Sequence, residues 1–107
     1  MKNEDLIKTL YDCVAHCNNC ADACLDEENV KMMIGCIRLD RICAATCTAT
    51  AEALSVKTKA DITGMLKACA DICEKCSNEC AKHEAQHCKD CAEACKRCAE
   101  ACRNFAA

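Results

Sequence analysis

The chain has 107 residues, a net charge of −3 at pH 7 and an aromatic content of 2%. This length suits a single domain, and we expect residues 1–107 to form one. The slightly acidic balance gives no electrostatic basis for binding nucleic acid, and the few aromatic residues supply little material for a conventional core. The residue type that needs an explanation is cysteine, which occurs sixteen times.

The cysteine count raises the question of the redox compartment. The first five residues are mostly polar or charged, and neither an apolar leader segment nor a run long enough to span a membrane follows them. We therefore expect a cytoplasmic protein without membrane contact, whose thiols stay reduced. A disulfide-linked scaffold is the alternative. Such folds are rich in turns, whereas this sequence has no proline and only two glycines.

The first predicted helix covers residues 4–25, with Asn3 as a suitable N-cap. Leu6 and Leu10 share one helical face with four thiols, spaced by four, three and four residues. At about 100° per residue, these thiols fall within roughly 60° of one another. They are Cys13, Cys17, Cys20 and Cys24. His16 lies at the edge of this stripe, and we expect it to be a partly exposed surface residue.

The second predicted helix covers residues 30–54. Its inward face carries a copy of the same pattern in which an aspartate replaces one thiol: Cys36, Asp40, Cys43 and Cys47. Leu54 continues this face at the far end. Met32 and Met33 precede it by one turn, and only one of the two can face inward.

Asp40 is unusual because a carboxylate that faces a shared interior is costly unless it is paired. Arg38 and Arg41 lie close to it in sequence, so a structural salt bridge is the first interpretation. An oxygen ligand or a proton-handling group inside the bundle is the second interpretation.

Two further helices are predicted at 59–82 and 86–103. Thr58 is a plausible N-cap for the third helix, and Ile62 and Leu66 precede its stripe of Cys69, Cys73, Cys76 and Cys80. The fourth helix carries Cys88, Cys91, Cys95, Cys98 and Cys102. The predicted fold is thus all-α, an antiparallel up-down-up-down four-helix bundle with a cysteine-lined core.

The topology also predicts a register. The thiols should align at one level, towards the end that holds the first and third connections. The opposite, apolar end should gather Leu6, Leu10, Leu54, Ile62 and Leu66. The thiol-side end, here called the mouth, should gather Cys24, Met32, Met33, Cys80, His83, His87 and Cys88.

A tube of thiols of this kind favours metal binding over a purely structural core, because leucine and valine pack better and do not oxidise. Tetrathiolate zinc sites each carry a net charge of −2, which is costly in a dry interior. Zinc also needs four ligands that converge tetrahedrally, whereas a stripe of thiols along one helix should supply donors only two at a time. Cu(I) is monovalent, prefers thiolate and accepts two or three sulfurs. Many Cu(I) ions, on the order of the cysteine count, would leave the core nearly neutral.

Other interpretations of the thiols remain open. An iron–sulfur electron-transfer protein would use similar donors, although cluster ligands usually sit on loops rather than at helical spacing. A zinc-thiolate bundle would bind few ions per chain. At the mouth, His83 and His87 suit the capture and passage of soft ions because imidazole binds Cu(I) more weakly than thiolate.

These patterns resemble those of the cytosolic copper storage proteins of bacteria. The resemblance covers nearly the whole chain, and in this combination its motifs are specific. It is carried by the repeated Cys-x-x-x-Cys spacing and by the segments 35–47, 70–74, 82–88 and 95–100. Members often have more histidine in the third connection, where this chain has Ala85 between His83 and His87.

The resemblance implies a non-enzymatic cytosolic store that binds multiple Cu(I) ions through its sixteen cysteines, with a histidine-bearing entrance and a homotetrameric assembly. A copper chaperone or an acceptor enzyme would be its partner. The sequence leaves open whether storage serves detoxification or supply.

Overall fold

Four α-helices form most of the chain. The computed structural model describes residues 3–106. The helices are α1 (Glu4–Cys24), α2 (Ile34–Leu54), α3 (Thr63–Cys80) and α4 (Gln86–Ala106), and a short 3-10 helix (Val30–Met33) precedes α2. Within residues 3–106 there is no strand, so the predicted all-α class is confirmed.

Five helix boundaries differ from the prediction, and the first and third helices end at Cys24 and Cys80, one and two residues before their predicted ends. Residues 30–33 form a 3-10 turn rather than the start of the second α-helix. The third helix begins at Thr63, because the Asp61 carboxylate accepts the Thr63 N–H at 2.9 Å in a local turn. Thr58, the predicted N-cap, instead accepts the N–H of Ala60 within the loop. The fourth helix runs to Ala106, three residues beyond the predicted end.

Asn3 occupies the N-cap position of α1, but its side chain does not cap the helix. Its Nδ2 donates to the Leu54 carbonyl oxygen at 3.1 Å. The bond satisfies one of the C-terminal carbonyls that α2 leaves without an intrahelical partner, and it joins the start of α1 to the end of α2.

Each helix packs against its neighbours in the chain, and α4 closes the bundle against α1. The thiol contacts prove the antiparallel order, because residue numbers rise on one helix as they fall on the next. Cys20 of α1 meets Cys36 of α2, and Cys13 meets Cys43. The result is an elongated body of 48 × 19 × 18 Å.

The predicted register of the core is confirmed. Leucines gather at the apolar end, where Leu6, Leu10, Leu54 and Leu66 are buried and Ile62 is partly buried. Alanines, which the sequence analysis did not assign to the core, fill much of the space beside the thiols: Ala21, Ala44, Ala51, Ala70, Ala92, Ala94 and Ala99. Their small side chains permit close helix approach around the sulfur column.

None of the helices within residues 3–106 is long and apolar enough to cross a lipid bilayer.

Leu10 supplies a test of the apolar end, because its side chain is 0% exposed. Leu10→Ala should lower the free energy of unfolding of the reduced, metal-free protein by about 2–5 kcal/mol, since the change leaves a cavity. Urea denaturation followed by circular dichroism measures this loss. The matched control is Leu25→Ala at a residue that is 61% exposed, where we expect a change within about 0.5 kcal/mol. Equal losses in the two variants would contradict the assigned core.

Candidate metal centre

All sixteen cysteines are buried and free, with 0% exposure at every one. The disulfide scaffold is therefore not the structure of the described chain. The helical stripes turn their sulfurs inward together, as the spacing predicts. The interior of the bundle is a column of thiols that contact one another rather than water.

Sulfur contacts join every pair of adjacent helices. Between α1 and α4, Cys17 Sγ lies 3.6 Å from Cys95 Sγ. Between α2 and α3, Cys36 Sγ lies 3.1 Å from Cys80 Sγ. Cys47 Sγ lies 3.9 Å from Cys98 Sγ and so links α2 to α4 across the bundle. The column of sulfurs is therefore continuous and draws on all four helices.

As expected of a helical stripe, each helix supplies only one or two donors to each group named here, but several helices contribute to each group. Sulfurs from different helices converge in groups of four whose ligand atoms lie within 4.8 Å of one another. Packing produces these groups because it brings sulfurs of two or three helices to the same height. Neighbouring groups share members, so thiols such as Cys13, Cys43 and Cys47 belong to more than one. Three of them are Cys13/Cys17/Cys43/Cys95, Cys13/Cys43/Cys47/Cys73 and Cys47/Cys69/Cys73/Cys98.

Asp40 is fully buried among thiols, and the predicted salt bridge is wrong. Its carboxylate accepts from Cys76 and Cys91 at 3.2 Å each and from Cys80 at 3.5 Å. Within residues 3–106, Asp40 forms no ion pair, and Arg41 donates to Asn18 on the outside of the bundle. A side chain on the inner face of α2 cannot reach an arginine that points outward.

Burial raises the pKa of Asp40 to about 8, and the electrostatic influence of neighbouring Cys91 and Cys36 acts in the same direction. A carboxyl group in this position is therefore mostly protonated near neutral pH. The second interpretation of Asp40, an oxygen ligand or a proton-handling group inside the bundle, is compatible with this geometry.

The mouth lies where the first and third connections meet, as predicted. A surface pocket there is lined by Glu27, Asn29, Met32, Met33, Lys82, His83, Glu84, Ala85, Gln86 and His87. The thiols of Cys24, Cys80 and Cys88 lie beneath it, fully buried. Of the two methionines, Met33 is 2% exposed and Met32 is 74% exposed, which confirms that only one faces inward.

The two mouth histidines have different surroundings. His87 Nδ1 lies 3.5 Å from Cys20 Sγ and 3.6 Å from Cys88 Sγ, and its Nε2 lies 2.9 Å from Glu27 Oε1. His83 Nε2 lies 3.2 Å from Glu79 Oε2, one helical turn earlier. Within the described part of the chain, His83 makes no hydrogen bond to a cysteine. The structure therefore brings His87 to the thiols and leaves His83 above them.

His16 lies on the outer side of α1, away from the mouth. Its side chain is 35% exposed and is 3.8 Å from Asp12, which confirms the predicted surface role.

With the geometry established, comparison with known proteins decides the family. A family model described as copper storage protein matches residues 1–107. The chain belongs to the copper storage protein family.

Two solved structures of the family are similar to this chain. The Cu(I)-bound copper storage protein BsCsp3 is 42% identical, with 100% of both chains covered and a TM-score of 0.91. A cytosolic copper storage protein from Streptomyces lividans, in a structure with five coppers, is 44% identical. That match covers 94% of this chain and 88% of the other, with a TM-score of 0.90.

A cysteine-rich protein of Bacillus subtilis, the uncharacterized YhjQ, is also similar. It is 43% identical over 76 residues, which cover 67% of this chain and 66% of that protein. The chain thus matches just under two thirds of the length of this relative.

In this member of the family, the thiols nearest the mouth are neutral before metal arrives. Burial raises the pKa of Cys88 to about 11 and raises that of Cys24 further. A soft cation that binds these sulfurs must displace their protons, so binding releases protons to the solvent.

Each mouth histidine has a carboxylate partner that was not predicted from the sequence. Glu79 precedes His83 by four residues, and that helical spacing was a usable signal. Glu27 and His87 are sixty residues apart, and no local pattern connects them.

The raised pKa of Asp40 makes the stability of the reduced, metal-free protein depend on pH. Because its folded pKa lies above the ordinary value of aspartate, the folded chain binds more protons than the unfolded chain between about pH 4 and pH 8. This contribution is fully present below about pH 4 and is lost as the pH rises through 8. At about 1.4 kcal/mol per pH unit, the loss between pH 6 and pH 8 is about 2 kcal/mol.

Asp40→Asn removes the titrating group and should flatten this part of the stability profile, as measured by urea denaturation at several pH values under reductant. Glu28→Gln, at an exposed carboxylate, is the control and should keep the slope of the unmodified protein. An unchanged slope in Asp40→Asn would contradict a raised pKa.

Proposed function

We propose that this chain is a non-enzymatic store for Cu(I), in which the buried cysteines are the ligands. The observation that carries the proposal is the continuous column of sixteen buried thiols, whose four-ligand groups share members. Shared thiolates bridge neighbouring ions, so the column suits a multinuclear load rather than separate sites. The proposed ligands are Cys13, Cys17, Cys20, Cys24, Cys36, Cys43, Cys47, Cys69, Cys73, Cys76, Cys80, Cys88, Cys91, Cys95, Cys98 and Cys102.

The need to compensate charge in the buried interior determines which metal ion the column can hold. A dry interior tolerates little uncompensated charge, and one monovalent ion per thiolate leaves the column close to neutral. The soft thiolate is also the donor that Cu(I) prefers. One member of the same family has been solved with Cu(I) bound and another with five coppers, which supports this assignment.

Ions enter the column at the mouth in this proposal. The apolar end is filled by leucines, whereas the mouth carries His83 and His87 above three fully buried thiols. Imidazole binds Cu(I) more weakly than thiolate, so the histidines pass ions inward rather than retain them.

Family membership supports a proposal for the compartment and the partners. We place the protein in the cytoplasm, as a relative from Streptomyces lividans is described, and as a homotetramer. We assign it no nucleic acid and no membrane as partners. A copper chaperone or an acceptor enzyme would deliver or receive its ions.

Zinc is the second candidate cargo, and one observation favours it. The groups of four sulfurs resemble the donor sets of tetrathiolate zinc sites. Each such site carries a net charge of −2, so filling several of them in one column is costly. Zinc storage therefore predicts few ions per chain.

Titration of the reduced, metal-free protein with Cu(I) against a chromophoric chelator tests the proposal. We expect binding to continue to a number of ions per chain on the order of the cysteine count, because bridging leaves the core nearly neutral. Saturation at one to four ions would reject storage. Zinc retained against a modest excess of Cu(I) would favour the zinc bundle instead.

The matched variant for this titration is Cys98→Ser/Cys102→Ser, which removes two thiols far from the mouth. A serine hydroxyl is a poor ligand for Cu(I), so the load at saturation should fall by about two ions. A load that does not change would mean that these thiols are not ligands.

A further inference from the structure

The ring of His87 covers the thiols at the mouth. Cys20, Cys24 and Cys88 are 0% exposed, and with His87 they form a group whose ligand atoms lie within 4.8 Å of one another. The His87 side chain is 16% exposed and lines the surface pocket above them. An ion arriving from solvent therefore meets this imidazole before it meets these sulfurs.

The orientation of the ring decides whether it can bind that ion. A neutral imidazole has one N–H and one lone pair, and only the nitrogen with the lone pair binds metal. Nδ1 faces Cys20 and Cys88 at 3.5 and 3.6 Å. A ring that carried its proton on Nδ1, or that had turned over, would present an N–H or a carbon to the thiols.

Glu27, on the other side of the ring, determines which nitrogen of His87 carries the proton. Its Oε1 lies 2.9 Å from His87 Nε2, and an ionised carboxylate can only accept a hydrogen bond. The proton is therefore placed on Nε2 and the lone pair on Nδ1, towards the thiols. Glu27 lies in the connection after α1, so the contact also holds that connection against the start of α4.

We infer that Glu27 is the positioning residue of the mouth: it fixes the tautomer and direction of His87, so that His87, Cys20, Cys24 and Cys88 form a preorganised capture site for Cu(I). This inference rests on the proposed storage of Cu(I). Carboxylate partners of metal-binding histidines commonly affect metal affinity by about 10- to 100-fold.

Glu79 does not take the same part. It lies at the end of α3, pairs with His83 four residues later in the third connection and also accepts from Lys82 at 3.4 Å. Its partners are therefore local in sequence, whereas Glu27 reaches across from the first connection to a ring that contacts the thiols.

The test compares Glu27→Ala and Glu27→Gln with Glu84→Gln. Glutamine keeps an oxygen that can accept from Nε2 but removes the charge, whereas alanine removes the acceptor. Glu84 is exposed and lines the same pocket, so its substitution alters the charge of the mouth without touching His87. Circular dichroism confirms that each variant is folded.

Two measurements are made on each reduced protein. The nitrogen-15 chemical shifts of the His87 ring, recorded without metal, identify which nitrogen carries the proton. Stopped-flow mixing with one equivalent of a coloured Cu(I) chelate gives the rate of first capture. We expect Glu27→Ala to lose the Nε2–H tautomer preference and to capture Cu(I) about 10-fold more slowly. Glu27→Gln should stay nearer the unmodified protein, and Glu84→Gln should match it.

Capture by Glu27→Ala at the unmodified rate with an unchanged tautomer would overturn the inference. Equal slowing in Glu27→Gln and Glu27→Ala would also overturn it, because charge rather than orientation would then control capture. Failure of the proposed function is distinguishable, since it appears as a low number of ions at saturation in the unmodified protein. The tautomer measurement needs no metal and does not depend on that result.

Discussion

The low tolerance of a dry interior for net charge is the constraint on which this structure depends. Protonated thiols are small and apolar, so the metal-free bundle can pack sixteen of them as a core. The same thiols, once deprotonated, need a positive charge for each sulfur. A monovalent soft cation meets this need in the same space. In the proposed store, the same side chain therefore serves as core material in the empty protein and as ligand in the loaded protein.

The two ends of the bundle differ in their side chains, with leucines at one end and histidines and carboxylates at the other. Leucines close the apolar end without competing for metal. At the mouth, each histidine is paired with a carboxylate, and the fully buried thiols begin directly below His87. Asp40 lies within the column itself, where four thiols rather than an arginine surround its carboxylate. Its oxygen atoms give the column a donor that differs in kind from sulfur.

Much of the fold and of the donor set was predictable because the signal is local. A spacing of four, three and four residues places thiols on one helical face whatever the helix packs against. The predictions were wrong where a contact joins residues far apart in the sequence, or where one side chain determines the start of a helix. The sequence pairs Asp40 with neighbouring arginines, although three of its four thiol partners come from α3 and α4. The start of the third helix moved to Thr63 because the Asp61 side chain stabilises a turn ahead of it.

The sequence alone determined the four helices, their inward stripes of sulfur and the chemistry that thiolates favour, since each depends on periodicity and donor type. Tertiary structure decided which sulfurs meet, that they converge in fours rather than in pairs, and that Glu27 reaches His87 across sixty residues. These contacts depend on the relative height of neighbouring helices and on the path of the connections. Neither quantity is encoded in a local pattern, because both result from the packing of the whole bundle.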